Sequence, residues 1–176
     1  MNEFVWVGGR PALDLCNTIV GGRDLFATPT DIYEWLQEAG FPEPADAPCS
    51  QNLQRVRALR DALRRAFVTH DAVDVADVVA EWFSAAPGHL AVDRESLQAR
   101  FCPDTQSCEC MFVPTLLDAI ELARDDIARV RLCAADACSM IYLDASRNGS
   151  RRWCSMERCG ARAKAHAYYE RKRGRA

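Results

Sequence analysis

Four cysteines near the C-terminus constrain this chain more than any other feature. Cys133 and Cys138 enclose four residues, Cys154 and Cys159 enclose four more, and fifteen lie between the pairs, giving C-x4-C-x15-C-x4-C. Each short spacing suits a tight turn that presents two thiolates, and two such turns complete the tetrahedron that zinc prefers. Protein fills all four positions and leaves none for a substrate, so the pattern predicts one structural zinc ion rather than a catalytic one. The alternative is four unrelated buried thiols; the symmetric spacing about a turn-forming Asn148-Gly149 argues against it.

Between the pairs, Met140-Ile141-Tyr142-Leu143 and Arg151-Arg152-Trp153 read as strands around the turn Ser146-Arg147-Asn148-Gly149. After Cys159, alanines alternating with Lys, Arg and Tyr read as a helix, whose N-terminus would favour the Cys159 thiolate. Knuckle, hairpin and then a helix carrying the last ligand is the order of a treble-clef-like four-cysteine zinc finger.

Upstream the sequence predicts a mostly helical domain. Pro11 to Ile19 reads as a first helix stopped by Gly21-Gly22, after a β-prone Phe4-Val5-Trp6-Val7. Thr28-Pro29-Thr30-Asp31 is a helix start, with Thr28 as cap, Pro29 at the first position and Asp31 as the capping-box acid. Ile32, Trp35, Leu36 and Ala39 line that helix and Gly40 ends it. Leu53, Val56, Leu59, Leu63 and Phe67 recur at helical spacing, as do Val75, Val78, Val79, Trp82 and Phe83. Residues 89–112 suggest two or three short strands. Pro114 opens a further helix with Leu116, Leu117, Ile120, Ala123 and Ile127 inward. The fold class is α+β, with a predominantly helical N-terminal domain (residues 1–130) carrying a small β component. Residues 131–176 form a C-terminal finger too short for an apolar core of its own without a metal.

Nine cysteines would suggest disulfides in a secreted chain. Met1-Asn2-Glu3 opens neither a basic nor an apolar leader, and no run approaches the ~18 apolar residues of a membrane span. The expectation is therefore a cytoplasmic protein with no membrane partner. Cys102, Cys108 and Cys110 cluster near His89, as core thiols or else as a second metal or redox site. The net charge of -3 hides an asymmetry. Residues 147–176 hold ten Arg or Lys and two acids, a balance of +8, whereas residues 1–146 hold twelve Arg and 23 acids, a balance of -11. A basic tail on an acidic body points to a polyanionic partner.

Cys133-x4-Cys138, the run Tyr142 to Asn148, Ser150 to Met156, and Cys159-Gly160-Ala161-Arg162-Ala163-Lys164 resemble the CGNR zinc finger of bacterial proteins. The family's namesake Asn is Ala161 here, a change that spares the metal ligands. Gly8-Gly9-Arg10, Leu13 to Thr18 and Asp31 to Leu36 resemble the ABATE domain that usually precedes that finger. The resemblance implies a regulator of transcription under stress that binds DNA through its finger.

The residues offered for nucleic-acid contact are Arg147, Arg151, Arg152, Arg162, Lys164, Arg171, Lys172 and Arg173. Charge compensation of a four-thiolate zinc site, formally -2, is the competing use of Arg151, Arg152 and Arg158. A finger this small would bind weakly alone, so a homodimer is expected for tight binding. Arg10, Asp14 and Asn17 are polar groups among apolar ones: a pocket for a small-molecule effector, or an Arg10–Asp14 pair with Asn17 ending a helix. His70, His89 and His166 are scattered and no catalytic motif occurs, so no enzyme is expected. A protein-interaction or RNA-binding module is the alternative to a DNA-binding regulator.

Overall fold

The computed structural model describes residues 3–41, 44–84, 86–92, 99–105 and 107–173. In chain order they form α1 (Pro11–Cys16), β1 (Ile19–Val20), β2 (Arg23–Asp24), α2 (Pro29–Glu38), α3 (Ser50–Thr69) and α4 (Ala72–Phe83). Next come β3 (Gly88–Val92), β4 (Ala99–Pro103), α5 (Cys108–Met111), α6 (Val113–Asp125), β5 (Val130–Leu132), β6 (Ile141–Leu143) and α7 (Ala161–Arg173). Among the described residues the strands pair only as three separate antiparallel ribbons, β1–β2, β3–β4 and β5–β6. This is the α+β class expected, helical with a small β component. No helix among the described residues is long and apolar enough to cross a membrane.

The helices start and stop where local chemistry dictates. At α2 the backbone N–H and hydroxyl of Thr28 both donate to Asp31, at 2.5 and 3.0 Å, and Gly40 ends the helix at φ 78°. At α4 the Asp71 carboxylate accepts the N–H groups of Val73 and Asp74, each at 3.0 Å. The helical stripe of α3 is buried as read: Leu53, Val56, Leu59, Leu63 and Phe67. α1 packs on α3 and α6, and α4 packs on the same two helices, while Trp35 of α2 stacks on Phe112 at 5.7 Å and Trp82 of α4 meets Phe112 edge-on at 6.0 Å.

Several local readings need correction. The first helix ends at Cys16, and Ile19 belongs to β1. Gly21-Gly22 is the two-residue turn of the β1–β2 hairpin, with both glycines at positive φ (58° and 82°), the requirement of a type I′ turn. Phe4 to Val7 belong to no strand, although Phe4 and Val5 are buried. Leu117 lies at the rim of α6, 42% exposed. Residues 88–112 form one hairpin followed by α5, while the loop 93–98 lies outside the described residues.

The predicted hairpin about Asn148-Gly149 is replaced by another. β6 pairs with β5, in the register Val130↔Leu143 and Leu132↔Ile141, and Arg151 to Trp153 form no strand. Strand alternation then gives β6 two faces. Ile141 enters the main core beside Val130, whereas Met140 and Tyr142 join a second cluster with Val5, Cys133, Cys154 and Cys159.

Candidate metal centre and basic helix

β5–β6 sets the first knuckle. The Cys133 N–H donates to the carbonyl of Met140 at 2.9 Å, and the Cys138 N–H closes the turn on Ala135 at 2.8 Å. The second pair lies on a turn that runs into a π-helical segment, Met156–Gly160, in which the Arg158 N–H donates to the Ser155 hydroxyl and the Cys159 and Gly160 N–H groups donate to the Ser155 carbonyl. Gly160 lets the chain pass close beneath two side chains: a Cβ would stand 2.6 Å from the sulfur of the exposed Met156, which would have to swing aside, and 3.1 Å from the Trp153 ring.

The four sulfurs lie within 4.8 Å of one another, with Cys138–Cys154 and Cys154–Cys159 each at 3.7 Å. A tetrahedron with Zn–S bonds near 2.3 Å has edges of roughly 3.8 Å, which the two 3.7 Å separations match. Burial pushes the Cys154 thiol strongly up and the Cys159 thiol up to about 11. Burial acts the same way on Cys133, but the N–H groups of Cys154 and Ala135 and the neighbouring thiols bring it down. Without a cation the four thiols at this spacing resist ionising together, and a divalent cation removes that penalty by holding all four as thiolates. The site takes one structural zinc.

Asp144 organises the chain between the knuckles, a role the sequence reading missed. It is fully buried and accepts the Ser146 N–H at 2.9 Å, the Ser146 hydroxyl at 2.5 Å and the Arg151 N–H at 3.0 Å, bonds that hold its carboxyl below the usual range. Arg151 caps the second knuckle. Its guanidinium donates to the carbonyls of Trp153 and Cys154 and lies 4.3 Å from the Tyr142 ring, while the Tyr142 hydroxyl donates to the Arg151 carbonyl at 2.6 Å. Of the proposed nucleic-acid residues, Arg151 is therefore engaged by the finger. Arg152 is exposed over the Trp153 ring at 5.1 Å; Arg147, Arg162, Lys164, Arg171, Lys172 and Arg173 are exposed too. Arg158, read as a compensating charge, is also exposed.

The three effector candidates take separate partners. Arg10 pairs with Asp118 at 2.5 Å and Glu121 at 3.1 Å, not with Asp14. Asn17 ends α1, and its buried amide also exchanges two hydrogen bonds with the Ile141 backbone at 2.8 and 2.9 Å. Asp14 accepts the Gly8 N–H at 2.7 Å, and the Gly8 carbonyl accepts the Leu143 N–H of β6 at 2.9 Å. Gly8 is obligatory, because a Cβ would meet the Leu13 Cβ at 2.7 Å. Another unforeseen link is Arg64, which donates to the carbonyls of Cys16 and Ser139.

Burial pushes Asp14 up to about 6, outweighing the lowering by the Gly8 and Val7 N–H groups, with Asp118 adding to the rise. An unfolded Asp ionises first, so the native state holds the extra proton between about pH 4 and 6. Stability from this group is present at low pH and lost as pH rises through 6. Relative to wild type, Asp14→Asn should therefore gain about 1–2 kcal/mol between pH 5 and 7.5. Urea unfolding at both pH values reads this directly; a wild-type/variant difference that does not change with pH would refute it.

Cys108 and Cys110 are core thiols, with Cys108 pushed up to about 12 chiefly by burial. His89 pairs with Asp104 at 2.9 Å, and the Cys102 side chain lies outside the described residues. Among the described residues, Cys133, Cys138, Cys154 and Cys159 are the one group of ligand atoms close enough for a metal.

The chain matches the CGNR zinc finger over residues 129–172, and the ABATE family, described as “Putative stress-induced transcription regulator”, over residues 9–140. No curated protein matches it. Because the second match spans most of its length, the chain belongs to the ABATE family, and it ends in a CGNR zinc finger.

Proposed function

We propose that the protein is a transcription regulator that binds DNA through the finger and α7, without catalysis. One observation carries this reading. α7 leaves the metal centre as a 13-residue helix, ARAKAHAYYERKR, and its described side chains from Lys164 to Arg173 are exposed on every side. A helix polar all round buries nothing to hold it in place, and such helices bridge to something else or stay marginal. Its length of roughly 20 Å and its cations suit the major groove of a duplex. The family description supports the regulatory part. The first knuckle on β5–β6, the second knuckle and then α7 support the treble-clef reading.

α7 contains no Asn or Gln to read adenine, so base reading falls to its Arg and Lys side chains on guanine edges, and its broad spread of cations suits phosphate contact first. Site-specific regulation on this basis uses two copies on paired half-sites. Binding by this route requires no effector at Arg10, Asp14 or Asn17.

The test is a salt titration of zinc-loaded protein against mixed DNA duplexes. If α7 neutralises about three phosphates, affinity should drop roughly 40-fold between 50 and 200 mM salt. The Arg171/Lys172/Arg173→Ala variant should bind more weakly with a shallower slope. Absence of binding at low salt would refute the proposal, and salt-steep binding to structured RNA alone would move the assignment to RNA.

A further inference from the structure

α7 has two unlike sides. Arg162, Ala163 and His166 face the first knuckle across a cleft of about 280 Å³, walled by Ala134 to Ala137 and floored by Trp153 and Cys159. Helical spacing continues that side through Tyr169, Glu170 and Arg173. Its cations therefore share the surface with two carboxylates, Asp136 across the cleft and Glu170 on the helix.

The opposite side is built differently. At 3.6 residues per turn, Ala161, Lys164, Ala165, Tyr168, Arg171 and Lys172 fall within an arc of about 120°. All six are exposed, three are cationic and none is acidic. Ala161 and Ala165 keep the N-terminal half of this side low, so a surface can approach the helix closely there. Tyr168, 56% exposed, places a phenol among the cations, and its O–H can donate to a phosphate.

We propose that this acid-free side of α7 is the surface that lies in the duplex, with Lys164, Arg171 and Lys172 on the phosphates, and that the Arg162–Arg173 side faces away from DNA. The assignment rests on the DNA-binding reading above and says which half of the helix carries it. The physical ground is repulsion. A carboxylate in a phosphate-lined groove faces like charge in a medium of reduced dielectric, so the side bearing Glu170 and opposing Asp136 docks at a cost that the other side does not incur. Within α7 the one carboxylate, Glu170, lies on the Arg162–Arg173 side, and the exposed Glu157 lies in the preceding turn, outside the helix.

Two double variants with equal charge loss isolate the side from the total. Lys164→Ala/Lys172→Ala and Arg162→Ala/Arg173→Ala each remove two cations from exposed positions of the same helix, and alanine preserves helicity. Each is titrated with salt against one short mixed-sequence DNA duplex, after zinc content and far-UV circular dichroism are checked. The lysine pair should lower the log–log salt slope by about 2 and weaken binding by at least tenfold, while the arginine pair leaves the slope within experimental error of wild type. Equal losses, or a larger loss in the arginine pair, overturn the assignment of sides and leave DNA binding intact. Wild-type protein that fails to bind the duplex at low salt overturns the DNA-binding reading and this assignment with it.

Discussion

Cys154→Ser is expected to release the zinc, unfold the segment between the knuckles and lower the melting temperature of the whole chain by roughly 10–20 °C. Cys154 is 1% exposed, and its sulfur shares two edges of the site, with Cys138 and with Cys159. A serine hydroxyl neither carries the thiolate charge nor matches the Zn–S length. Structural zinc contributes about 10–16 kcal/mol of apparent binding energy in isolated finger peptides, which is folding energy for a segment with no core of its own. Here the second cluster is small and made largely of the ligands themselves with Val5, Met140 and Tyr142. The loss also reaches the body, because Ile141 and Val130 of the same hairpin sit in the main core. Loss of about 5 kcal/mol at 2–4 °C per kcal/mol gives the stated shift for a chain of this size. Zinc quantification after gel filtration and a melting curve measure both effects. The exposed Cys49 provides the control: Cys49→Ser should keep one zinc per chain. A Cys154→Ser protein that retains stoichiometric zinc would remove Cys154 from the ligand set.

What was legible in the sequence was local. The C-x4-C pairs, the Thr28–Asp31 box and the α3 stripe each depend on residues a turn or two apart, so spacing alone carries them. The Gly21-Gly22 hairpin was also written locally, since two glycines between Val20 and Arg23 fit a type I′ turn; reading them as a helix stop missed that signal. The strand pairing around Asn148-Gly149 failed for a tertiary reason. The buried Asp144 carboxylate takes the Arg151 N–H that a ladder would have used, and β5 supplies the ladder instead. Arg10 found Asp118, 108 residues away, rather than Asp14, four residues away. Partners at that separation leave no periodic trace, and the roles of Asn17 and Arg64 were hidden for the same reason.

Asn17→Leu should cost about 2–6 kcal/mol while leaving the zinc ligands untouched. The Asn17 amide donates to the Ile141 carbonyl at 2.8 Å and accepts the Ile141 N–H at 2.9 Å, completing a strand-like pair between α1 and β6. Asn17 is 1% exposed, and Ile141 is fully buried, so water cannot replace either bond. Leucine keeps the γ-branched shape, with more bulk, but leaves both Ile141 backbone groups without a partner, at roughly 1–3 kcal/mol each. Asn17→Asp separates polarity from pairing, since a carboxylate still accepts the N–H but cannot donate to the carbonyl and brings a charge into the core. It should therefore be no milder than leucine. Urea unfolding gives the energies, and hydrogen exchange at the Ile141 amide gives the location: faster exchange there, with zinc still bound, means the finger has loosened from the body. Unchanged stability in both variants would refute the role assigned to the pair. Other links between these parts, among them Leu143 to Gly8, Arg64 to Ser139 and Ser139 to Ile19, predict that loosening stops short of full detachment. On the DNA-binding reading, the body then fixes how α7 is presented, and any affinity lost in Asn17→Leu without loss of zinc measures how much that presentation contributes.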